Sequence, residues 1–120
     1  MTVSYLLRNW VSQIKQVGRM RHRLVIEAVQ SIPDEAGGWQ VGYKTQAAVW
    51  AAIRPVGVEA SHAPRQSGET ITHELMLRYR ADMQVGMRLR QGEACYVIRQ
   101  LVDPDHRKNW LLCLCSQERS

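Results

Sequence analysis

The spacing of hydrophobic positions along this chain changes once, near Gly18. Before it, Leu6, Trp10, Ile14 and Val17 recur at intervals of four, four and three, with Leu7 and Val11 beside them. That one-sided pattern predicts a short N-terminal helix, with Ser4 as its N-cap and Gly18 as its stop. After Gly18 the period is two. His22, Leu24, Ile26 and Ala28 point one way, while Arg21, Arg23, Val25 and Glu27 point the other, as strand geometry requires.

Further strands follow at short intervals. Pro33 to Gly38 forms a turn cluster, because proline fixes φ and glycine permits positive φ. A second extended stretch runs from about Trp39 to Arg54, with Gly42 expected to be a weak point or bulge. Its far half, Ala48 to Ile53, is rich enough in alanine to suit a helix, but Pro55 and the flanking strands favour a strand. Ile71 to Arg80 alternates most cleanly: Ile71, His73, Leu75, Leu77 and Tyr79 form the expected buried face, and Thr72, Glu74, Met76, Arg78 and Arg80 the other. Met87 to Arg90 repeats the alternation before a turn at Gln91-Gly92. Ala94 to Asp103 makes another strand, broken at Pro104-Asp105, and Trp110 to Gln117 supplies the last. The expected fold is mainly β: a small barrel or sandwich of five or six strands. Between Pro55 and Thr70 no period persists. That long connection, with Gly57, Pro64, Ser67 and Gly68, reads as a functional or mobile loop.

Size and composition narrow the classes. With 120 residues, 45% hydrophobic and 22% charged, the chain suits one globular domain with a single core. No apolar run is long enough to span a bilayer, and Met1 to Leu7 lacks the length and cleavage site of a signal peptide, so a cytoplasmic site of synthesis is expected. Three cysteines, Cys95, Cys113 and Cys115, cannot all pair within one chain. Cys113 and Cys115 share a strand face and read as small apolar fillers rather than zinc ligands.

Chemistry is sparse. His22, His62, His73 and His106 have no metal-ligand spacing, and His73 falls on the apolar parity of its strand. Asp103, Asp105 and His106 are explained by a proline-containing turn. With no phosphate loop and no nucleophile elbow, neither catalysis nor a cofactor is expected, and a metal-dependent enzyme lacks its ligands. The formal charge of +5 admits an acidic partner. Arg19, Arg21 and Arg23 share parity, as do Arg78 with Arg80 and Arg88 with Arg90, so these residues form a candidate basic interface. The competing reading is an ordinary solvent face on which Glu27, Glu74 and Glu93 balance the arginines. A nucleic-acid-binding barrel is the alternative function, with Trp50 and Tyr43 as its only candidate stacking platforms.

The order of segments resembles that of the phage head–tail joining, or head-closure, family. Gly18-Arg19-Met20-Arg21-His22-Arg23 opens the first strand, Trp50-Ala51-Ala52-Ile53-Arg54-Pro55 follows, and His73 to Arg80 ends in Arg-Tyr-Arg. Met87-Arg88-Leu89 and Tyr96-Val97-Ile98 complete the order. The similarity covers residues 18–117, and five motifs in sequence are more specific than any one.

The resemblance implies a barrel of about six antiparallel strands over 18–118, and the spacing before Gly18 adds a helical arm over 1–17. It implies a virion protein of a phage or prophage, assembled in the host cytoplasm, that joins the portal or adaptor ring to tail proteins. There it would form a homo-oligomeric ring that closes the DNA channel after packaging and touch double-stranded DNA without sequence preference; one modest core with no heptad and no wholly apolar face predicts a monomer in isolation. Membranes play no part in that role. The Pro55–Thr70 segment occupies the place of the loop that reaches into the channel, which makes Val58, His62, Arg65 and Ser67 candidate channel residues. Independently of the resemblance, the spacing of Leu6, Trp10 and Ile14 makes them either a candidate docking stripe for a neighbouring subunit or the face by which the helix packs on its own domain.

Overall fold

The computed structural model describes residues 20–56 and 71–118. The predicted helix, with Leu6, Trp10 and Ile14, lies outside the described residues, as do Arg19 and the channel-loop residues Val58, His62, Arg65 and Ser67. Six antiparallel strands form a closed barrel: β1 (His22–Pro33), β2 (Trp39–Pro55), β3 (His73–Arg78), β4 (Arg88–Gln91), β5 (Ala94–Val102) and β6 (Trp110–Glu118). Around the wall they run β1-β2-β3-β6-β5-β4, and β4 pairs back onto β1. The mainly β fold expected from the alternation is observed, as the barrel that the resemblance implies rather than a sandwich, and Ala48 to Ile53 is strand, not helix.

Register assigns each side chain to the inside or the outside, because residues directly opposite in a ladder share a face. Leu24, Ile26, Ala51, Leu75, Leu77, Leu89, Ile98, Leu111, Cys113 and Cys115 face inward and are buried. The first strand thus buries the face its alternation indicates.

Several boundaries and faces differ from expectation. β2 has no bulge at Gly42, which pairs regularly with Gln30. A Cβ at residue 42 would collide with the Ile32 side chain, so glycine there serves close packing across the hairpin. The register shift instead falls opposite Ile26 and Glu27, where Gln46 is the extra residue. A bulge reverses parity: Ala47 and Val49 point in with the core, whereas Tyr43 and Thr45 point out.

β3 is shorter than its alternation, starting at His73 and ending at Arg78, and Glu74 and Met76 on its outer face are buried too. Met76 lies in a row with Ala52 and Leu112 across three strands, so this central strand is apolar on both sides at that level. Pro55 closes β2 instead of opening the long loop, and Val56 continues the pairing through its N–H to the Thr72 carbonyl at 2.9 Å. Pro33 ends β1, leaving the turn to Asp34–Gly38, where the Asp34 carboxylate accepts from the Ala36 and Gly38 N–H groups. Gln91 belongs to β4, so the next turn is Gly92-Glu93.

The barrel occupies only part of the β1–β2 ladder. β1 pairs with β4 only through Val25–Glu27, and β2 pairs with β3 only from Ala51 onward. From Ala28↔Lys44 to Pro33↔Trp39 the two strands, among the described residues, pair with each other alone. That hairpin is an arm about 20 Å long at the usual rise per residue, and no other described strand pairs with either of its edges.

Candidate functional site

Two surfaces stand out on this frame. The first is the outward face of the arm. Because of the bulge at Gln46, Val29, Trp39, Val41 and Tyr43 all lie on one side of the hairpin, continuous with the outside of the barrel. Trp39 is 72% exposed and Val41 71%. Isolated exposed apolar residues are ordinary, but a contiguous set on a projecting element marks an interaction site.

The second is a row across the outer wall that alternates cations and indoles. Arg23 pairs with Trp50 across β1 and β2, and Arg78 with Trp110 across β3 and β6. Since Ala51 pairs with Leu77, Trp50 and Arg78 occupy adjoining positions on the β2–β3 ladder. The Arg23 guanidinium lies 5.3 Å from the Trp50 ring centroid and that of Arg78 lies 5.1 Å from Trp110, within cation–π range. Beside this row opens a cleft of about 560 Å³ lined by Met20, Val49, Trp50, Arg78, Tyr79 and Arg80.

The structure places the described arginines of the candidate basic interface in different surroundings. Arg88 and Arg90 converge on the Glu27 carboxylate at 3.1 and 3.3 Å, and Arg88 also stacks 3.4 Å from the Tyr43 ring centroid. Arg80 lies beyond the end of β3 and bonds Asp82 at 2.8 Å, holding that carboxyl below its usual range. Arg21 precedes β1 and is exposed. Glu74 is matched by Arg54 at 2.6 Å, an arginine not included in the candidate interface. Trp50 and Tyr43, the candidate stacking platforms, each have a guanidinium over the ring, which leaves less face for a nucleobase.

The three cysteine thiols are shielded. Burial raises the thiol of Cys113 to about 12 and that of Cys115 well above its ordinary value, and Cys95 is also raised by burial. Such thiols are poor nucleophiles and poor ligands. His73 packs edge-on to Tyr96 at 5.0 Å, with Nδ1 3.0 Å from the Thr72 hydroxyl, and burial lowers its pKa. Asp103, Asp105 and His106 form the β5–β6 turn: the Asp103 and Asp105 carboxylates accept from the N–H groups of Lys108 and Arg107, and His106 has φ of 57°. Among the described residues, no three His, Cys, Asp or Glu side chains gather where they could hold a metal, and no helix is long and apolar enough to cross a membrane.

The described residues form a closed barrel from which an arm bearing exposed apolar side chains projects. The chain belongs to the phage head completion protein family, whose model matches residues 15–119; that family is structural rather than enzymatic. The fold is similar to the solution structure of protein SF1141 from Shigella flexneri 2a, with a TM-score of 0.67 and 20% identity over 85% of this chain and 96% of that one. It is also similar to a chain in the virion of a native gene transfer agent particle, with a TM-score of 0.60 and 21% identity over the same shares. No curated protein matches the sequence significantly.

The head-completion role was legible in the motif order from Gly18 to Ile98. The arm and the cleft were not. Trp39, Val41 and Tyr43 alternate as a core face would, and the cleft joins residues from β2 and the end of β3 that no spacing links.

Proposed function

We propose that this phage head completion protein forms a ring between the portal or adaptor and the tail, and closes the DNA channel after packaging. Family membership across residues 15–119 carries the reading. A barrel with surface-borne arginines and an exposed arm suits a role that is steric and assembly-driven. Under this reading the protein assembles on its portal and tail partners in the host cytoplasm and remains monomeric in isolation. The Leu6, Trp10 and Ile14 stripe is proposed to dock on a neighbouring subunit, and Val58, His62, Arg65 and Ser67 to face the channel. Contact with the retained DNA is non-specific, through phosphates.

The test is to replace Val58 to Ser67 with a short Gly-Ser linker and follow both folding and particles. The expected outcome is unchanged thermal unfolding, because loop-closure entropy varies slowly with length, together with DNA leaking from tailless heads. Full DNA retention would remove the closing role. Loss of folding would show that the segment is structural instead.

A further inference from the structure

The arm and the cleft lie on the same strand. Trp39 stands at the start of β2 and Trp50 is eleven positions further along it. At roughly 3.3 Å per residue the two are up to about 36 Å apart, and the intact β1–β2 ladder between them keeps them so. Within one molecule, therefore, the exposed Trp39 cannot reach the Trp50–Tyr79 cleft. A second copy's Trp39 can.

We propose that the arm of each copy seats in the cleft of the next, with Trp39 entering between Trp50 and Tyr79 and Val41 packing at its edge. The inference rests on the head-completion reading and names the contact that builds its ring. Three observations support a second copy as the occupant. The cleft's 560 Å³ is ample for an indole. Charge is complementary: the arm from Ala28 to Lys44 carries Asp34 and Glu35 against one lysine, Lys44, whereas Arg78 and Arg80, the latter bridged to Asp82, line the cleft and Arg23 flanks Trp50. The symmetry also fits. A knob and a hole at different places on one chain make a head-to-tail contact, which repeats from copy to copy and closes into a ring when the rotation allows. Val29 and Tyr43, on the same face of the arm, extend the buried strip towards its base.

The experiment uses cross-linking in DNA-filled particles assembled with a Gln40→Cys/Ala81→Cys chain in place of the wild type. Both positions are exposed, one beside Trp39 and the other beside Arg80, while Cys95, Cys113 and Cys115 are buried and stay silent. A short bismaleimide should give a ladder from dimer upward, each single-cysteine chain should stay monomeric, and adding Trp39→Ser should abolish the ladder. Particles that contain the chain but yield no ladder overturn this contact and leave the head-completion reading standing. A ladder that stops at dimers, or one indifferent to Trp39→Ser, likewise overturns it. Cross-links to a different virion protein identify another occupant for the cleft. Particles that assemble normally without the chain overturn the head-completion reading, and this inference with it.

Discussion

The barrel and the arm are built from the same two strands yet obey opposite rules. Below the bulge at Gln46, inward residues of β1 and β2 such as Leu24, Ile26 and Ala51 have no solvent exposure. Beyond it the ladder continues without a break in hydrogen bonding, but both faces meet solvent: Val29, Trp39, Val41 and Tyr43 lie outside, and Ile32 on the other face is exposed as well. Hydrogen bonds alone do not make a two-stranded ribbon stable; burial does. The arm is therefore held by its continuity with the barrel, and its exposed Trp39 and Val41 are available to a partner rather than to the fold.

This contrast can be broken experimentally. The largest effect belongs inside the barrel: Leu75→Ala or Leu77→Ala should cost about 2–5 kcal/mol in urea unfolding, because each empties a fully buried site. Next is the outer wall of β3. Arg54→Met leaves the Glu74 carboxylate buried without its partner, and a loss of about 1–3 kcal/mol is expected, below the full cost of a buried pair because Arg54 is itself 37% exposed. Arg78→Ala removes only a guanidinium stacked on Trp110 and should cost about 0.5–1 kcal/mol.

His73 adds a pH slope. Its folded pKa lies below the unfolded value of 6.5, so neutral imidazole is favoured by folding. Its contribution is fully present above pH 6.5 and is lost as pH falls through the folded pKa. His73→Phe should flatten that part of the stability profile. The smallest effect belongs to the arm, where Val41→Ser should change unfolding free energy by less than about 0.5 kcal/mol. A large loss there would mean the arm is packed against its own barrel and would abolish the contrast.

Much of the barrel was legible because a buried strand face leaves a mark every second residue, as at Leu24 and Ile26, Leu75 and Leu77, or Cys113 and Cys115. What escaped depends on the neighbour rather than on the strand. The bulge at Gln46 exists only relative to β1, and no local composition marks it. Glu74 and Met76 read as a solvent face, yet both are buried beside residues of β2 and β6. The arginine parities were visible, but not that Glu27 would take both Arg88 and Arg90 while Tyr43 lies beneath one of them.

The unbroken pairing of Ala28–Pro33 with Trp39–Lys44 also constrains how this family member can vary over generations. One residue gained in a single strand would create a new bulge and turn the tip aside. One gained in each strand would keep the ladder but rotate the tip by half a turn, sending Trp39 and Val41 to the side now held by Gln40 and Gly42. Only matched steps of two in both strands lengthen the hairpin, by about 7 Å each time, with its tryptophan still facing outward. Related chains that differ in reach here should therefore differ by four residues or a multiple of four, split evenly about the Asp34–Gly38 turn.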